Sequence, residues 1–157
     1  MPHGTVRETM PVPADRVFAL LHDYERRLEW DTLLSEAYLS EGWTRAEPGA
    51  IAVCRGRRRI GGLALKTIYV TFVPGRVAAV KMINRPLFFD AFAATIRHEA
   101  CGEHSRVEYK FHFTARPRWL RWLLHPLMAR VFAWETHRRL RALRGYCWQE
   151  RGAGRDP

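Results

Sequence analysis

The feature that most constrains the fold of this chain is an almost continuous β pattern between Ile51 and Thr114. Apolar segments alternate there with short turn sequences at residues 57–62, 74–75, 84–86 and 102–103. Turns of this length leave no room for a crossover helix, so neighbouring strands must run antiparallel. We predict strands over residues 51–56, 63–73, 76–84, 89–100 and 105–115.

The first long hairpin turns at Pro74-Gly75. A two-residue turn there pairs Val73 with Arg76 and, further along the hairpin, Tyr69 with Val80. This phase puts the lysines on one face, which is predicted to face solvent. The predicted inward face then carries Thr67, Tyr69, Thr71, Ala78, Val80 and Met82.

The second long hairpin turns at Gly102-Glu103 and sorts its residues in the same way. Its phase pairs His98 with Val107 and Phe92 with Phe113, and it leaves the charged side chains on the opposite face. A slip of one residue would invert both faces of a strand. Two hairpins that each separate polar from apolar residues therefore favour an antiparallel sheet with one buried face.

Helical periodicity flanks this β region on both sides. After a first strand over residues 4–11, a helix opens at Pro13 or Asp15, and a short second helix follows within residues 25–34, before a strand over 35–43. At the other end, residues 117–125 are predicted to form a short helical lead-in. Because proline fits the first turn of a helix, we expect the last helix to run from Pro126 to about Trp148. Its predicted sheet-facing side carries Met128, Phe132, Thr136, Leu140 and Leu143.

Length and composition indicate one domain, over residues 1–149, followed by a disordered tail at residues 150–157. No apolar run approaches the roughly 20 residues that span a bilayer, and the first residues lack a signal-peptide core, so we predict a cytoplasmic location. Three widely spaced cysteines match neither a disulfide framework nor a zinc site. We therefore predict no metal and no cofactor.

The formal net charge is +10, and four arginines, Arg55, Arg57, Arg58 and Arg59, fall within one predicted hairpin tip. A solvated loop is the simplest interpretation. The alternative is a basic lip that attracts anionic lipid or an acidic ligand at the mouth of a cavity. Nucleic-acid binding is not predicted, because no aromatic platform stands beside the arginines and no recognition helix is apparent.

Three segments resemble the START/Bet v 1-like (SRPBCC) superfamily and, within it, the bacterial polyketide cyclase/dehydrase-like proteins. They are VPADRVFALLHDYERRLEWD at residues 12–31, ATIRHEACGEHSRVEYKFHF at 94–113, and the closing helix at 126–148. The resemblance implies an α+β helix-grip fold, in which a curved antiparallel sheet of about six or seven strands wraps around a long C-terminal helix, with two short helices after strand 1. It also implies an apolar cavity that takes hydrophobic small molecules such as lipids, sterols, quinones or polyketides. The family has no shared catalytic motif, so only the location of the cavity carries over.

The large inward residues of the sheet and the last helix are the predicted cavity wall, although they would equally suit a solid core. They are Trp30, Tyr69, Met82, Phe92, Ile96, Tyr109, Phe111, Phe113, Met128 and Phe132. Two of the polar inward residues are candidates for chemistry. His98 is a candidate acid or base near neutral pH, and the Tyr109 hydroxyl is a candidate to orient a ligand carbonyl.

Three classes of function stay open at this point. The sequence favours a binder or carrier of a hydrophobic small molecule over a cyclase, aromatase or dehydratase-type enzyme that uses the same cavity. A basic module for a protein partner or nucleic acid is the third. The segment PRWLRWLLHP, residues 117–126, is typical of an interfacial membrane contact, or else covers the cavity mouth or a dimer partner. The predicted partners are thus a hydrophobic ligand and, transiently, an anionic membrane, with the chain a monomer or weak dimer.

Overall fold

The computed structural model describes residues 2–58 and 61–153. Arg59, the last arginine of the predicted basic lip, lies outside the described residues. Along the chain the elements are β1 (His3–Met10), α1 (Ala14–Leu21), α2 (Arg27–Trp30), β2 (Leu34–Leu39), β3 (Ile51–Gly56), β4 (Ala64–Val73), β5 (Val77–Met82), β6 (Phe89–Cys101), β7 (His104–Ala115), a 3-10 turn (Arg118–Leu120) and α3 (Arg121–Ala153).

All seven strands join one antiparallel sheet in the order β1-β7-β6-β5-β4-β3-β2. Hairpin connections place β2 to β7 side by side, and β1 pairs with β7 at the far edge. The sheet curls around α3, with α1 and α2 after the first strand. This architecture confirms the predicted α+β helix-grip fold.

The predicted register is confirmed in the β6–β7 hairpin and only in part in the β4–β5 hairpin. Between β6 and β7 the predicted pairs His98–Val107 and Phe92–Phe113 are confirmed. Between β4 and β5, Tyr69 pairs with Val80 as predicted.

The β4–β5 turn itself differs from the prediction. Val73 pairs with Val77 instead of Arg76, because the turn contains three residues, and a register shift between Tyr69 and Thr71 compensates for the extra residue. This bulge reverses the alternation. Thr71 is therefore exposed, contrary to the prediction, and the ring of Phe72 packs inward against Phe18 at a centroid distance of 5.0 Å.

The predicted break at Pro126 is wrong, because α3 is a single helix that starts at Arg121 and includes Pro126 in its second turn. Pro126 and Trp122 are both exposed, so the hydrogen bond that proline removes is lost on the solvent side, where water can replace it. The helix also continues through Ala153, into the segment predicted as a disordered tail. Among the described residues, no helix is both long enough and apolar enough to cross a membrane.

Buried side chains form three clusters under α1 and α3. The predicted sheet-facing side of α3 is confirmed, because Thr136, Leu140 and Leu143 are buried and Met128 and Phe132 are partly buried against the sheet. Under the first half of α3, the ring of Phe132 lies 5.3–5.6 Å, between centroids, from the rings of four phenylalanines, Phe89, Phe92, Phe111 and Phe113. This aromatic cluster fills one end of the interior.

Gly4 in β1 makes room for that cluster. A Cβ at this position would overlap Cζ of Phe111, whose ring is buried. We predict that Gly4→Ala lowers the free energy of unfolding by about 1–3 kcal/mol through overpacking, measured by urea denaturation. Gly145→Ala is the matched control, because its Cβ meets nothing within 4 Å and should stabilise α3 by up to about 1 kcal/mol. Equal stability of the two variants would contradict the described packing.

Candidate functional site

A cavity of about 80 Å³ lies between the concave face of the sheet and the middle of α3. One part of its wall is apolar and comes from α1, the central strands and α3. It consists of Leu21, Val80, Phe92, Ile96 and Phe132. The volume is that of two or three water molecules at about 30 Å³ each, well below the about 300 Å³ or more of ordinary ligand sites.

A hydrogen-bonded chain of three side chains forms another part of the wall. The Tyr69 hydroxyl lies 2.8 Å from the Tyr24 hydroxyl and 2.8 Å from Nδ1 of His22. Burial lowers the pKa of His22 well below its usual value, with the charges of His98 and Arg27 acting in the same direction, so the imidazole is neutral at neutral pH. Burial likewise raises the pKa of both tyrosines. The chain therefore consists of neutral groups that each donate and accept.

A buried ion cluster forms the remaining polar wall. The carboxylate of Asp31, which is fully buried, lies 3.0 Å from Nε of Arg27 and 3.4 Å from Nε of Arg139. The backbone N–H of Leu33 donates to the other carboxylate oxygen at 3.2 Å. Although burial opposes the charge on Arg27, the Asp31 carboxylate raises its pKa, so the guanidinium stays protonated. Arg27 and Arg139 both line the cavity.

Arg139 is incompletely paired within this cluster. Its Nε is buried and has no hydrogen-bond partner among the described residues, because the 3.4 Å contact with Asp31 satisfies the distance of an ion pair but not the geometry of a hydrogen bond. Glu135, one turn earlier on α3, is also buried, and burial raises the pKa of its carboxyl despite the nearby charge of Arg139. A buried donor without an acceptor is costly.

Cys54 also lines the cavity but is not an activated nucleophile. Burial raises the pKa of its thiol more than the two arginines lower it. The thiol thus stays protonated at neutral pH, and only a thiolate would attack a substrate.

The predicted cavity wall divides into two groups. Tyr69, Phe92, Ile96, Tyr109 and Phe132 line the cavity. The others pack elsewhere in the interior, most of them in the aromatic cluster, and they are Trp30, Met82, Phe111, Phe113 and Met128. Because these five side chains pack into the core, the cavity that remains is small. A ligand-binding role for the lining residues stays a prediction.

His98 and Tyr109, the candidates for chemistry, occupy different places. The Tyr109 hydroxyl lines the cavity and makes no hydrogen bond to a described residue. His98 is absent from the lining and lies beneath α1, with its ring 5.1 Å from that of Phe18, beside a surface groove that includes Pro13 and Gly75. Both ring nitrogens of His98 are buried without a partner among the described residues. His98 therefore does not face the cavity, and a role for it in chemistry stays a prediction.

The described part of the predicted basic lip borders a separate groove of about 660 Å³. Arg55 lies 3.5 Å from the Glu36 carboxylate, and Nε of Arg57 donates to the backbone carbonyl of Leu34 at 3.3 Å. Leu34 of β2 thus borders both the cavity and the arginine-lined groove.

Sequence reasoning named Tyr69 and Tyr109 but missed the rest of the polar wall, which consists of His22, Tyr24, Arg27 and Arg139. Two weak signals were present. His22 lies one helical turn after the apolar Phe18 and so shares its side of the helix, and Asp31 lies one turn after Arg27, within reach of an ion pair. Arg139 carried no signal, because it stands among other arginines of α3 that are exposed, such as Arg138 and Arg141.

The fold and the internal cavity define a helix-grip protein with a candidate small-molecule site, and comparisons with known proteins give its family. The chain belongs to the family described as polyketide cyclase / dehydrase and lipid transport, whose model matches residues 1–147. No curated protein matches the sequence.

Solved structures share the fold at low sequence identity. A START superfamily protein from Mycobacterium smegmatis is 10% identical with a TM-score of 0.77, covering 94% of this chain and 97% of that protein. The Zhui aromatase/cyclase from Streptomyces sp. R1128 is 15% identical with a TM-score of 0.75, over 94% and 93%. The di-domain aromatase/cyclase StfQ of the steffimycin biosynthetic pathway is 13% identical with a TM-score of 0.79, over 96% of this chain and 52% of StfQ.

The burial of His98 generates a pH prediction. Burial lowers the pKa of His98 to about 4, whereas an unfolded histidine titrates near 6.5. Between these values the unfolded state binds more protons, so stability falls as the pH drops. We predict that His98→Leu removes this loss, so the unfolding free energy of the variant relative to the wild type rises by about 2 kcal/mol between pH 7 and pH 5.

Urea denaturation at the two pH values measures this difference. His104→Leu is the control for loss of an imidazole, because His104 is exposed at the β6–β7 turn. A pH dependence that is the same in the wild type and His98→Leu would show that His98 is not buried in its neutral form.

Proposed function

We propose that this protein binds a hydrophobic small molecule whose polar end carries a carboxylate or carbonyl oxygen. The observation that carries the proposal is the internal cavity with an apolar wall on one part and two arginines, which share one carboxylate, on another. The family description, which combines polyketide cyclases and dehydrases with lipid transport, supports the same chemical class.

The chemistry of the polar wall selects an oxygen acceptor. Arg27, Arg139 and Tyr109 all line the cavity, and each carries side-chain donors. The Nε of Arg139 lacks an acceptor. A ligand carboxylate would accept charge-assisted hydrogen bonds from guanidinium groups, which are stronger than bonds between neutral groups. A hydrocarbon without oxygen would offer these groups no acceptor.

Binding requires the cavity to widen, because about 80 Å³ holds no lipid or polyketide. Leu34 borders both the cavity and the groove at the basic lip. It belongs to β2, an edge strand that pairs only with β3 and has a register shift next to Leu34. We infer that ligands enter here, since displacing an edge strand breaks pairing with one neighbour only.

Native mass spectrometry of the purified protein, followed by organic extraction, tests whether it carries a hydrophobic passenger. Titration with oleate and with oleyl alcohol then tests the polar end, because these probes share one chain and differ in the carboxylate. We expect oleate to bind more tightly, and Arg139→Gln to weaken oleate binding about tenfold or more while leaving the alcohol unaffected.

Arg138→Gln is the matched control, because Arg138 is the adjacent arginine of α3 and is exposed. Circular dichroism checks that each variant folds. If the protein carries no passenger and its melting temperature shifts with neither probe, the proposed function is wrong. Equal loss of oleate binding in both arginine variants would show that general positive charge, and not the cavity, attracts the ligand.

A cyclase or dehydratase-type activity is the second candidate, and the Tyr24–Tyr69–His22 chain favours it. Such reactions develop negative charge on a carbonyl oxygen, and a tyrosine hydroxyl held in place by neighbouring side chains is a donor that stabilises such charge. With a poly-β-ketone substrate analogue, we expect Tyr69→Phe to lower turnover about 100-fold with little change in affinity. Tyr38→Phe, on an exposed tyrosine of β2, is the control. No turnover by the wild-type protein would leave binding as the function.

A further inference from the structure

Large apolar side chains are exposed where α3 begins. We call the group Leu87, Phe88, Trp119, Trp122, Leu123 and Leu127 the tryptophan face. The two tryptophans are each 76% exposed, and Leu87 is 63% exposed. Monomeric proteins seldom expose contiguous apolar patches of this kind unless the patch contacts a partner or a membrane.

The two segments that carry this face are fixed against each other. The backbone N–H of Arg116 donates to the carbonyl of Phe88 at 3.0 Å, and its guanidinium donates to the carbonyl of Arg85 at 2.7 Å. Arg121 and Asp90 lie 3.5 Å apart in an ion pair. The loop before β6 and the start of α3 therefore present one surface.

The first half of α3 is apolar on its outer side as well as on the side facing the sheet. Leu123, Leu127, Val131 and Trp134 recur at intervals of four, four and three residues and are 45–55% exposed. Residues at this spacing share one side of a helix. Met128 and Phe132 already pack the inner side against the sheet. The outer apolar side is therefore not part of the core.

The charge around the tryptophan face has one sign. Residues 116–134 contain no aspartate or glutamate. Arg116, Arg118 and Arg130 are exposed there, and Arg85 is exposed on the neighbouring loop. The nearby carboxylate of Asp90 is already paired with Arg121. Exposed tryptophans bordered by unneutralised arginines are the composition of an interfacial membrane contact, where aromatic rings enter the headgroup region and cations approach anionic lipids.

We propose that the tryptophan face docks this protein onto an anionic lipid bilayer, with Trp119 and Trp122 inserted and the surrounding arginines against lipid phosphates. A second copy of the chain fits this surface less well, because a two-fold interface would bring the same patch, and hence arginines of the same charge, face to face. This inference does not depend on the proposed ligand, since none of its residues lines the cavity.

Co-sedimentation with vesicles of phosphatidylcholine, with and without phosphatidylglycerol, tests docking. We expect binding that requires the anionic lipid, weakens as salt rises and shifts tryptophan emission to shorter wavelength. Trp119→Ala/Trp122→Ala should bind such vesicles at least about tenfold more weakly, since each buried aromatic side chain contributes about a factor of ten or more. Trp148→Ala is the matched control, because Trp148 is 50% exposed at the other end of α3 and should not affect binding.

Both substituted tryptophans are exposed, so the double variant is expected to fold, which circular dichroism verifies. Failure of the wild type to bind either vesicle overturns the proposal, as does equal binding by the double variant. Sedimentation equilibrium without lipid gives a further test. A wild-type dimer that Trp119→Ala/Trp122→Ala converts to a monomer would assign the face to a second copy and overturn docking on lipid. Oleate binding that persists in the double variant would separate the two proposals.

Discussion

The interior of this protein depends on one buried carboxylate. Asp31 ends α2, is fully buried, and pairs with Arg27 of the same helix and with Arg139 of α3. A buried charge without partners would cost several kcal/mol, so the three side chains hold one another in place. The cluster ties the short helices after β1 to the long helix, and it holds two cations beside the cavity.

Around this cluster the interior divides into two regions with different packing. Under the first half of α3, phenylalanine rings of the sheet pack around Phe132 in one cluster. Nearer the middle of α3, part of the wall is polar. Hydroxyl, imidazole and guanidinium groups keep the spacing there that their hydrogen bonds require, and a small cavity remains between the side chains. Packing thus decides that the candidate site is polar in part, although the resemblance to the family implied an apolar one.

The arginines of the chain lie in separate groups in different parts of the molecule. Arg27 and Arg139 lie inside and face a carboxylate. Arg55 and Arg57 border the groove outside Leu34. The arginines near Trp119 surround exposed apolar side chains at the start of α3. Net charge alone indicated attraction to anions in general, and only the positions of these residues separate the candidate ligand site from the surface proposed to contact lipid.

By itself, the sequence determined the strands, the register of the β6–β7 hairpin and the inner side of α3. Those features follow from periods of two and 3.6 residues, which are local properties of a chain. Tertiary structure alone decided that Phe72 replaces Thr71 inside, that α3 continues through Pro126, and that Arg139 faces the interior while Arg138 faces solvent. The first outcome depends on the length of the turn between β4 and β5. The last depends on the rotation of α3, which brings Arg139 to Asp31. The candidate site joins side chains from distant segments, and no local pattern records which of them meet.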